Sequence, residues 1–304
     1  MKAIIPHLWF DKEAVEAAEF YTSVFEQSRI QSIAQIHDTP SGTADVGAIT
    51  LKGQEFRFIS AGPDFQMTPA ISLRVYCSSK EEVLYLWEIL KVDGSILMEV
   101  GEYPFSRQYG WLNDRYGVSW QLLWTEEETT AGKIVPQLLF SGQQVGKAKE
   151  AIEFYTLLFE NSQVDKVVYY EEDSDPNSPD MLQYALFTLN GQLFSAMDSN
   201  IDYGFVFNEA FSFLVQCDTQ EEIDFLWKKL SAVPEAEECG WLKDHYGVSW
   251  QITPVVLDDL LATDDEKRKE SVTKAFLKMK KLDIAALRAA YEKNEITKKQ
   301  QALY

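Results

Sequence analysis

One twelve-residue motif occurs twice in this chain. Gly110–Gln121 reads GWLNDRYGVSWQ, and Gly240–Gln251 reads GWLKDHYGVSWQ, 130 positions later (240 − 110). The openings of the two halves repeat at the same separation, with IPHL from Ile5 and VPQL from Val135. The unit of a solenoid spans only about 20–50 residues. The repeat therefore predicts a duplicated domain, in which each residue can be compared with its equivalent in the other half.

The length of the chain agrees with this duplication. At about 150 residues per domain, 304 residues predict two domains. We place them at residues 1–126 and 133–255, joined by a short polar junction and followed by a helical extension over 256–304. Hydrophobic periodicity predicts that each half contains two successive βαβββ units, the first of which begins with strand Ile4–Phe10 and helix 12–25. The fold class is therefore α+β.

The extension after residue 255 contains two short amphipathic helices. Thr263 and Glu266 fit a capping box at the start of the first helix, and Asp283 is placed to cap the second. The apolar stripe of each helix must be buried against another surface. We expect docking onto the strand domains or onto a second subunit, and the less favoured alternative is binding to a membrane or a target peptide.

Composition excludes several classes of protein. A net charge of −20 argues against binding to nucleic acid, whose phosphates require clustered Lys and Arg. No run approaches the roughly 18 apolar residues that a membrane span needs, and the first strand leaves no room for a signal peptide. Cys77 and Cys217 are equivalent positions at strand ends, and with Cys239 they have no disulfide or metal-site spacing. We predict buried thiols and a cytoplasmic protein.

The order of these units, the EFY sequence in the first helix of each half (from Glu19 and from Glu153) and the doubled GWxxDxYGVSWQ motif resemble one known superfamily. It is the vicinal-oxygen-chelate superfamily of glyoxalase I, bleomycin-resistance proteins and extradiol dioxygenases. The resemblance is closer to its PhnB-like branch, often labelled demethylubiquinone methyltransferase-like. It implies tandem glyoxalase/bleomycin-resistance-like domains, each of two βαβββ units that form an open half-barrel with the site on its concave face. Single-domain members pair as dimers, so the chain resembles a fused pseudo-dimer, and whether it also forms a homodimer is left open.

The methyltransferase label can be compared with the residues themselves. A nucleotide-type cofactor needs a glycine-rich turn whose backbone N–H groups approach the ligand at the start of a helix. The sequence contains no Gly-x-Gly, and its units lack the alternating strand–helix order of a doubly wound sheet. We therefore reject S-adenosylmethionine chemistry.

The resemblance also implies where a metal would bind, because catalytic members hold a divalent metal with His and Glu side chains. Their glutamate falls on Gln121 and Gln251, and the histidine of the fifth strand falls on an alanine. The remaining position falls near Arg57 or Ser195, if the fourth strand of a repeat is paired with its eighth. No register brings three His or carboxylate donors together, and a neutral amide is a poor ligand for a transition metal. We predict no cofactor and no tightly bound metal, although a divalent metal is not excluded outright.

Strand alternation places a set of polar and aromatic residues on the concave faces. His7 is the one histidine with such a position, and it is either a hydrogen-bonded strand residue or the candidate catalytic acid or base. The predicted ligand-binding residues are His7, Trp9, Arg57, Ser72, Arg74, Trp111, Gln121, Gln137, Ser195, Ser212, Trp241 and Gln251.

Three functions are compatible with these residues. The favoured one is a protein of the PhnB-like type that binds a small molecule on a concave, aromatic-lined face with a degenerate metal site. The alternative is a metal-assisted lyase, isomerase or dioxygenase that uses His7. In the third, side chains fill the concave faces and the protein is a scaffold. The sequence names no substrate.

Overall fold

The computed structural model describes residues 3–39 and 41–301, with the side chains of Asp38 and of residues 294–301 left undescribed. The chain forms four successive modules that each begin with a strand and a helix. The strands are β1 (Ile4–Phe10), β2 (Arg29–Thr39), β3 (Gly42–Leu51), β4 (Gln54–Ser60), β5 (Ile71–Cys77), β6 (Ser95–Tyr103), β7 (Ser106–Asn113), β8 (Ser119–Trp124), β9 (Ile134–Phe140), β10 (Gln163–Tyr169), β11 (Leu182–Leu189), β12 (Gln192–Asp198), β13 (Phe211–Cys217), β14 (Trp241–Lys243) and β15 (Ser249–Pro254). The helices are α1 (Ala14–Val24), α2 (Lys80–Leu90), α3 (Ala148–Leu158), α4 (Gln220–Leu230), α5 (Val255–Leu261), α6 (Glu266–Phe276) and α7 (Ile284–Gln301).

This order confirms the α+β class and the βαβββ pattern of the first three modules, whereas the fourth is βαββ. Local sequence explains the elements well: the Lys52-Gly53 and Asn190-Gly191 pairs both have positive φ, as a two-residue hairpin turn requires, and they join β3 to β4 and β11 to β12. The fourth module is shorter than the other three. The structure describes all of residues 218–248, and only β14 is a strand there.

The described residues divide into two compact units. The smaller contains residues 3–5, 35–44 apart from residue 40, and 212–301, and the larger contains residues 6–34 and 45–211. In the smaller unit, β15 pairs in parallel with β13 and antiparallel with β14. In the larger unit, β4 pairs in parallel with β1 and antiparallel with β3. No helix in the described part of the chain has the length and apolarity needed to span a membrane.

The larger unit also contains an eight-stranded sheet that combines both repeats. Its strand order is β10-β11-β12-β9-β5-β8-β7-β6. At its centre, β5 of the first repeat pairs antiparallel with β9 of the second, with Ser72 opposite Gln137. We expected β4 and β8 of one repeat to share a sheet, and this is wrong: β8 lies in the sheet of β12, and β4 lies elsewhere. The reason is that β5 pairs with β8 on one edge and with β9 on the other, so neither edge is left to join β4.

The two helices of this sheet cover the same side of it. A Cβ atom on Gly110 of β7 would lie 2.6 Å from the Trp87 ring of α2, so the two elements are packed with no room for a side chain. At the other end, the Ala148 backbone N–H at the start of α3 donates to Asp198 of β12 at 3.1 Å. Side chains that alternate with Gly110 and Asp198 therefore lie on the opposite side, which we call the helix-free face.

A buried aspartate fixes the turn of the repeated motif. Asp114 Oδ1 accepts from the backbone N–H groups of Tyr116 and Val118, and Oδ2 accepts from Trp120 Nε1 at 2.8 Å and from the Tyr21 hydroxyl at 2.7 Å. Burial raises the pKa of Asp114 to about 6, although its four hydrogen bonds act in the opposite direction. In the second repeat, Asp244 accepts the equivalent bonds from two backbone groups and from an indole. The motif is retained because it builds this turn.

The C-terminal helices dock within the smaller unit. The backbone N–H groups of Cys239 and Gly240 donate to the carbonyls of Met279 and Lys280, both at 2.7 Å. The apolar stripes form a cluster of buried residues: Leu260, Val272, Phe276, Leu282 and Leu287.

The predicted capping box at Thr263 is wrong, whereas the Asp283 cap is confirmed. Helix α6 begins at Glu266, and Asp265 is its N-cap, since its carboxylate accepts from Lys267 and Arg268. The Thr263 hydroxyl instead accepts from the backbone of Asp265. Asp283 Oδ1 accepts from the Ala286 backbone N–H at 2.8 Å, which caps α7.

We expect Asp114→Asn to lower the free energy of unfolding by about 2–4 kcal/mol, because the amide nitrogen would face the buried Trp120 and Tyr21 donors. Urea unfolding measures the change. The control is Asp173→Asn in an exposed loop, which should be neutral. Equal stabilities for the two variants would contradict a structural role for the Asp114 carboxylate.

Candidate functional site

The helix-free face of the eight-stranded sheet carries a cluster of apolar and aromatic side chains. Its buried members are Tyr76, Tyr109, Trp111, Leu123, Val135, Leu139 and Leu186. Partly buried side chains packed against them are Met98, Tyr103, Tyr184, Leu193, Met197 and Phe205. The strands alternate, so the residues between these positions pack toward α2 and α3. The predicted side-chain orientation of β8 agrees with this, since Trp120 and Leu122 alternate with Gln121.

Polar side chains lie buried among these apolar ones, in two hydrogen-bonded groups. In the first, Gln121 Oε1 accepts from the Tyr109 hydroxyl at 3.0 Å, and Gln121 Nε2 donates to Ser72 Oγ at 2.8 Å. Nearby on β7 and β8, Trp111 Nε1 donates to Ser119 Oγ at 2.8 Å. These bonds orient an amide and three hydroxyls on an apolar surface, as small-molecule sites require.

The second group joins the two repeats. Arg74 Nη1 on β5 donates to Gln137 Oε1 on β9 at 2.7 Å. The same oxygen accepts from Ser195 Oγ on β12 at 3.1 Å. Gln137 and Ser195 are almost fully buried, and Arg74 is 8% exposed. Residues from three strands thus hold one guanidinium group inside the protein.

Aromatic rings surround this guanidinium. Its carbon Cζ lies 4.8 Å from the centroid of the Tyr184 ring and 5.5 Å from that of Tyr76, and the two phenol oxygens are 2.7 Å apart. Contacts of this kind stabilise a buried cation by up to about 2 kcal/mol. Burial acts to lower the pKa of Arg74, the phenols of Tyr76, Tyr184 and Tyr109 act to raise it, and the net shift is upward. Arg74 therefore stays charged.

Further aromatic residues cover part of the helix-free face. On the β6–β7 hairpin, Tyr103 stacks on Phe105 with ring centroids 5.6 Å apart. In the irregular segment between β12 and β13, Tyr203 stacks on Phe205 at 5.3 Å. Phe205 packs against the apolar cluster, whereas Phe105 is 59% exposed.

The predicted residues of the first module lie on β1 and β4, which pair with His7 opposite Arg57. Arg57 Nε donates to Glu55 Oε1 at 2.7 Å, so its charge is partly balanced. Burial and the charge of Arg57 lower the pKa of His7 to about 3. The neutral imidazole is thus a weak base, and at pH 7 the imidazolium form that could act as an acid is essentially unpopulated. Trp9 Nε1 donates to the Gly62 carbonyl at 2.8 Å.

The other predicted residues lie in the smaller unit. Gln251 Nε2 on β15 donates to Ser212 Oγ on β13 at 3.0 Å, which repeats the Gln121–Ser72 bond. Trp241 is half-buried on β14. Leu214 occupies the position that corresponds to Arg74, so the cation is not repeated.

Sequence reasoning missed the tyrosines of the site. Tyr76 and Tyr109 lie two residues from Arg74 and Trp111, so strand alternation alone could have found them. Tyr184 gives no such signal, because its proximity to Arg74 depends on the pairing between the repeats. Trp111, one of the predicted ligand-binding residues, is buried in the cluster.

These residues do not suit the divalent metal that the resemblance implies. The polar groups of the helix-free face are two amides, three serine hydroxyls, tyrosine hydroxyls and the Arg74 guanidinium, which would repel a cation. Among the described residues, no group of three or more His, Cys, Asp or Glu side chains could hold a metal ion. The donor set of this face therefore provides no carboxylate or imidazole ligand, and in the described part of the chain His7 lies on β1 without two further donors of these kinds beside it.

Paired βαβββ modules with polar groups on their helix-free face are the architecture expected of a tandem PhnB-like protein. One family model matches residues 2–123 and again residues 132–253, under the description 3-demethylubiquinone-9 3-methyltransferase. Since the two matches cover most of its length, the chain belongs to this family. No curated protein matches the chain significantly.

Three solved structures are similar to the chain. The PhnB protein of Bacillus cereus is 44% identical over 40% of this chain and 98% of its own, with a TM-score of 0.38. A protein from Staphylococcus aureus is 34% identical over 40% of this chain and 96% of its own, with a TM-score of 0.18. Glyoxalase I from Zea mays is 11% identical over 86% of this chain and 97% of its own, with a TM-score of 0.54. The last likeness extends over most of the chain and concerns the fold alone.

We expect protein purified without chelators to contain less than about 0.1 metal ion per chain, because amides and hydroxyls beside a cation bind divalent ions weakly. Inductively coupled plasma mass spectrometry measures this. Near-stoichiometric zinc, nickel, manganese or iron would overturn the prediction.

His7→Gln, which introduces the residue of the second repeat, should reduce the acid sensitivity of the protein. The pKa of His7 is lower in the folded state, so protons bind the unfolded chain as the pH falls below about 6.5, and stability falls until the pH reaches about 3. Between pH 7.5 and 5, the wild type should lose about 2 kcal/mol more of its free energy of unfolding than His7→Gln.

Urea unfolding at several pH values tests this. Asp114 titrates near this range but is present in both proteins, so its contribution cancels. The exposed Leu157 supplies the control, since Leu157→Gln adds a glutamine without removing a titratable group and should retain the wild-type pH profile. Parallel profiles for the wild type and His7→Gln would contradict the burial of a neutral His7.

Proposed function

We propose that this protein binds a small organic molecule on the helix-free face of its eight-stranded sheet. The observation that carries the proposal is the pair of buried polar groups, Gln121 with Ser72 and Arg74 with Gln137, within an aromatic surface. Burial of polar groups costs stability unless they are paired, and a core built only for stability would be apolar there. A ligand site usually combines an apolar surface with a few convergent polar groups.

Two other activities have less support. Methyl transfer, which the family description names, would require a nucleotide-type cofactor site, and the βαβββ modules provide neither a glycine-rich turn nor a doubly wound sheet. A metal-assisted lyase, isomerase or dioxygenase would need a donor set that the face does not provide. His7 would serve it poorly as an acid or base, because its pKa is lowered to about 3.

We also propose that the protein is located in the cytoplasm. Cys77 and Cys217 are free thiols buried at strand ends, as predicted, and unpaired thiols persist in reducing compartments. The fused pseudo-dimer supplies both modules of the eight-stranded sheet from one chain. A homodimer would be an addition to this site, and light scattering can detect one.

A thermal-shift screen of metabolites and antibiotics tests the binding function. A true ligand at one hundred times its Kd stabilises the folded protein by about 2.7 kcal/mol, whereas S-adenosylmethionine should produce no shift. Tyr76→Gln, which copies Gln216 of the second repeat, should reduce the shift. The matched control is Tyr85→Gln on the outer side of α2, which should retain it, since Tyr85 is 55% exposed.

If no compound stabilises the wild type, the binding proposal fails and the protein is a scaffold with a filled face. If a compound stabilises the wild type and Tyr76→Gln equally, the ligand binds elsewhere and the proposed location is wrong.

A further inference from the structure

Arg74 is a buried cation without an anionic partner. Within the described part of the chain, its side chain has one hydrogen bond, from Nη1 to Gln137, and no carboxylate pairs with it. Its Nε is buried and has no hydrogen-bond partner there. An unpaired buried charge costs several kcal/mol, and two tyrosine rings offset only part of this. The protein therefore keeps a destabilising charge at the centre of its candidate site.

The bonds of Arg74 leave one edge of the guanidinium uncommitted. Nη1 is held by Gln137, whereas Nε and Nη2 form the opposite edge, where two parallel N–H groups match the two oxygens of a carboxylate. Gln137 does not depend on Arg74, because Ser195 donates to the same oxygen. Gln137 thus orients the guanidinium without neutralising it.

The surroundings of Arg74 restrict the rest of the ligand. Among the buried residues of the helix-free face named above, Arg74 is the cation, and one buried positive charge suits an anion of charge −1. The net charge of −20 disfavours polyanions. The nearby side chains are mainly rings, including Tyr76, Tyr184 and the Tyr203–Phe205 stack, and flat aromatic groups pack well against rings.

We propose that the ligand is an aromatic monocarboxylate, whose carboxylate pairs with the Nε and Nη2 edge of Arg74 while its ring packs among the tyrosines. This rests on the proposed function, since it specifies the ligand of the same face. Because Nε is buried in the free protein, binding displaces part of the aromatic cover, which includes Phe205 on the irregular segment between β12 and β13. Arg74 is then a specificity-determining residue that touches the ligand.

Arg74→Leu tests the proposal with a residue that the second repeat already has at Leu214. The probes are 2-naphthoate and its neutral analogue 2-naphthamide, which differ in charge and little in shape. In titrations followed by calorimetry and by thermal shift, the wild type should prefer the acid. Arg74→Leu should weaken the binding of the acid by about ten- to hundredfold, and the affinity for the amide should stay within about threefold of the wild-type value.

Stability separates recognition from a structural role. Arg74→Leu removes a buried unpaired charge, so the free variant should unfold at the same temperature as the wild type or higher. Arg74→Lys, which keeps the charge but not the two-pronged edge, should retain part of the preference for the acid. Arg107→Leu on β7 is the matched control, because the Arg107 side chain is 71% exposed, and it should bind like the wild type.

The outcomes are distinguishable from failure of the proposed function. If other compounds stabilise the wild type but the acid and the amide bind equally, or if Arg74→Leu keeps the preference, the carboxylate proposal is overturned while ligand binding stands. A large loss of stability in Arg74→Leu with unchanged binding would show that Arg74 is structural. If nothing in the wider screen binds, both proposals fail.

Discussion

The antiparallel pairing of β5 with β9 is the contact on which the candidate site depends. It places Ser72 opposite Gln137 and brings the strand that carries Arg74 beside the strand that carries Gln137. Without it, each half of the eight-stranded sheet would end in an unpaired edge, with backbone groups exposed to water or to another chain. The first polar group of the helix-free face lies on one side of this junction, and the second spans it. The junction therefore both closes an edge and builds the site.

Residues that the two repeats share support folding, and residues that differ between them are available for recognition. Asp114 and Asp244 both bind two backbone N–H groups and an indole, and each fixes the turn that leads into the last strand of its repeat. Such a local device is needed wherever the motif occurs, so it is retained. Arg74, by contrast, corresponds to Leu214, and the strand folds with either residue. Residues that differ between the repeats are therefore free to adapt to a ligand.

Much of the fold could be predicted because its signals are local. Alternation identified the strands and the orientation of Gln121, the hairpin pairs marked two turns, and the thiols of Cys77 and Cys217 are buried as expected. The pairing of modules could not be predicted, because every module presents a similar first-strand edge and periodicity does not state which edges meet. The contact between Arg74 and Tyr184 depends on that pairing.

Other differences have equally physical causes. Two residues that can cap a helix precede α6. Asp265 is the N-cap rather than Thr263 because its carboxylate accepts from two backbone N–H groups. The predicted residues of the first module also carry less charge than their sequence suggests, since Glu55 partly balances Arg57 and His7 is held neutral. The charge that each group carries depends on its environment in the fold, which the sequence alone does not state.

Joining the two repeats in one chain has a consequence for how such a site evolves. In a dimer of identical single-repeat chains, symmetry makes every substitution twice, so a change that helps one site alters the other in the same way. Covalent fusion removes this constraint, because each repeat is encoded separately. A costly residue such as Arg74 can then be carried at one position while its counterpart stays apolar. The fused chain is thus able to specialise one face and preserve stability through the other.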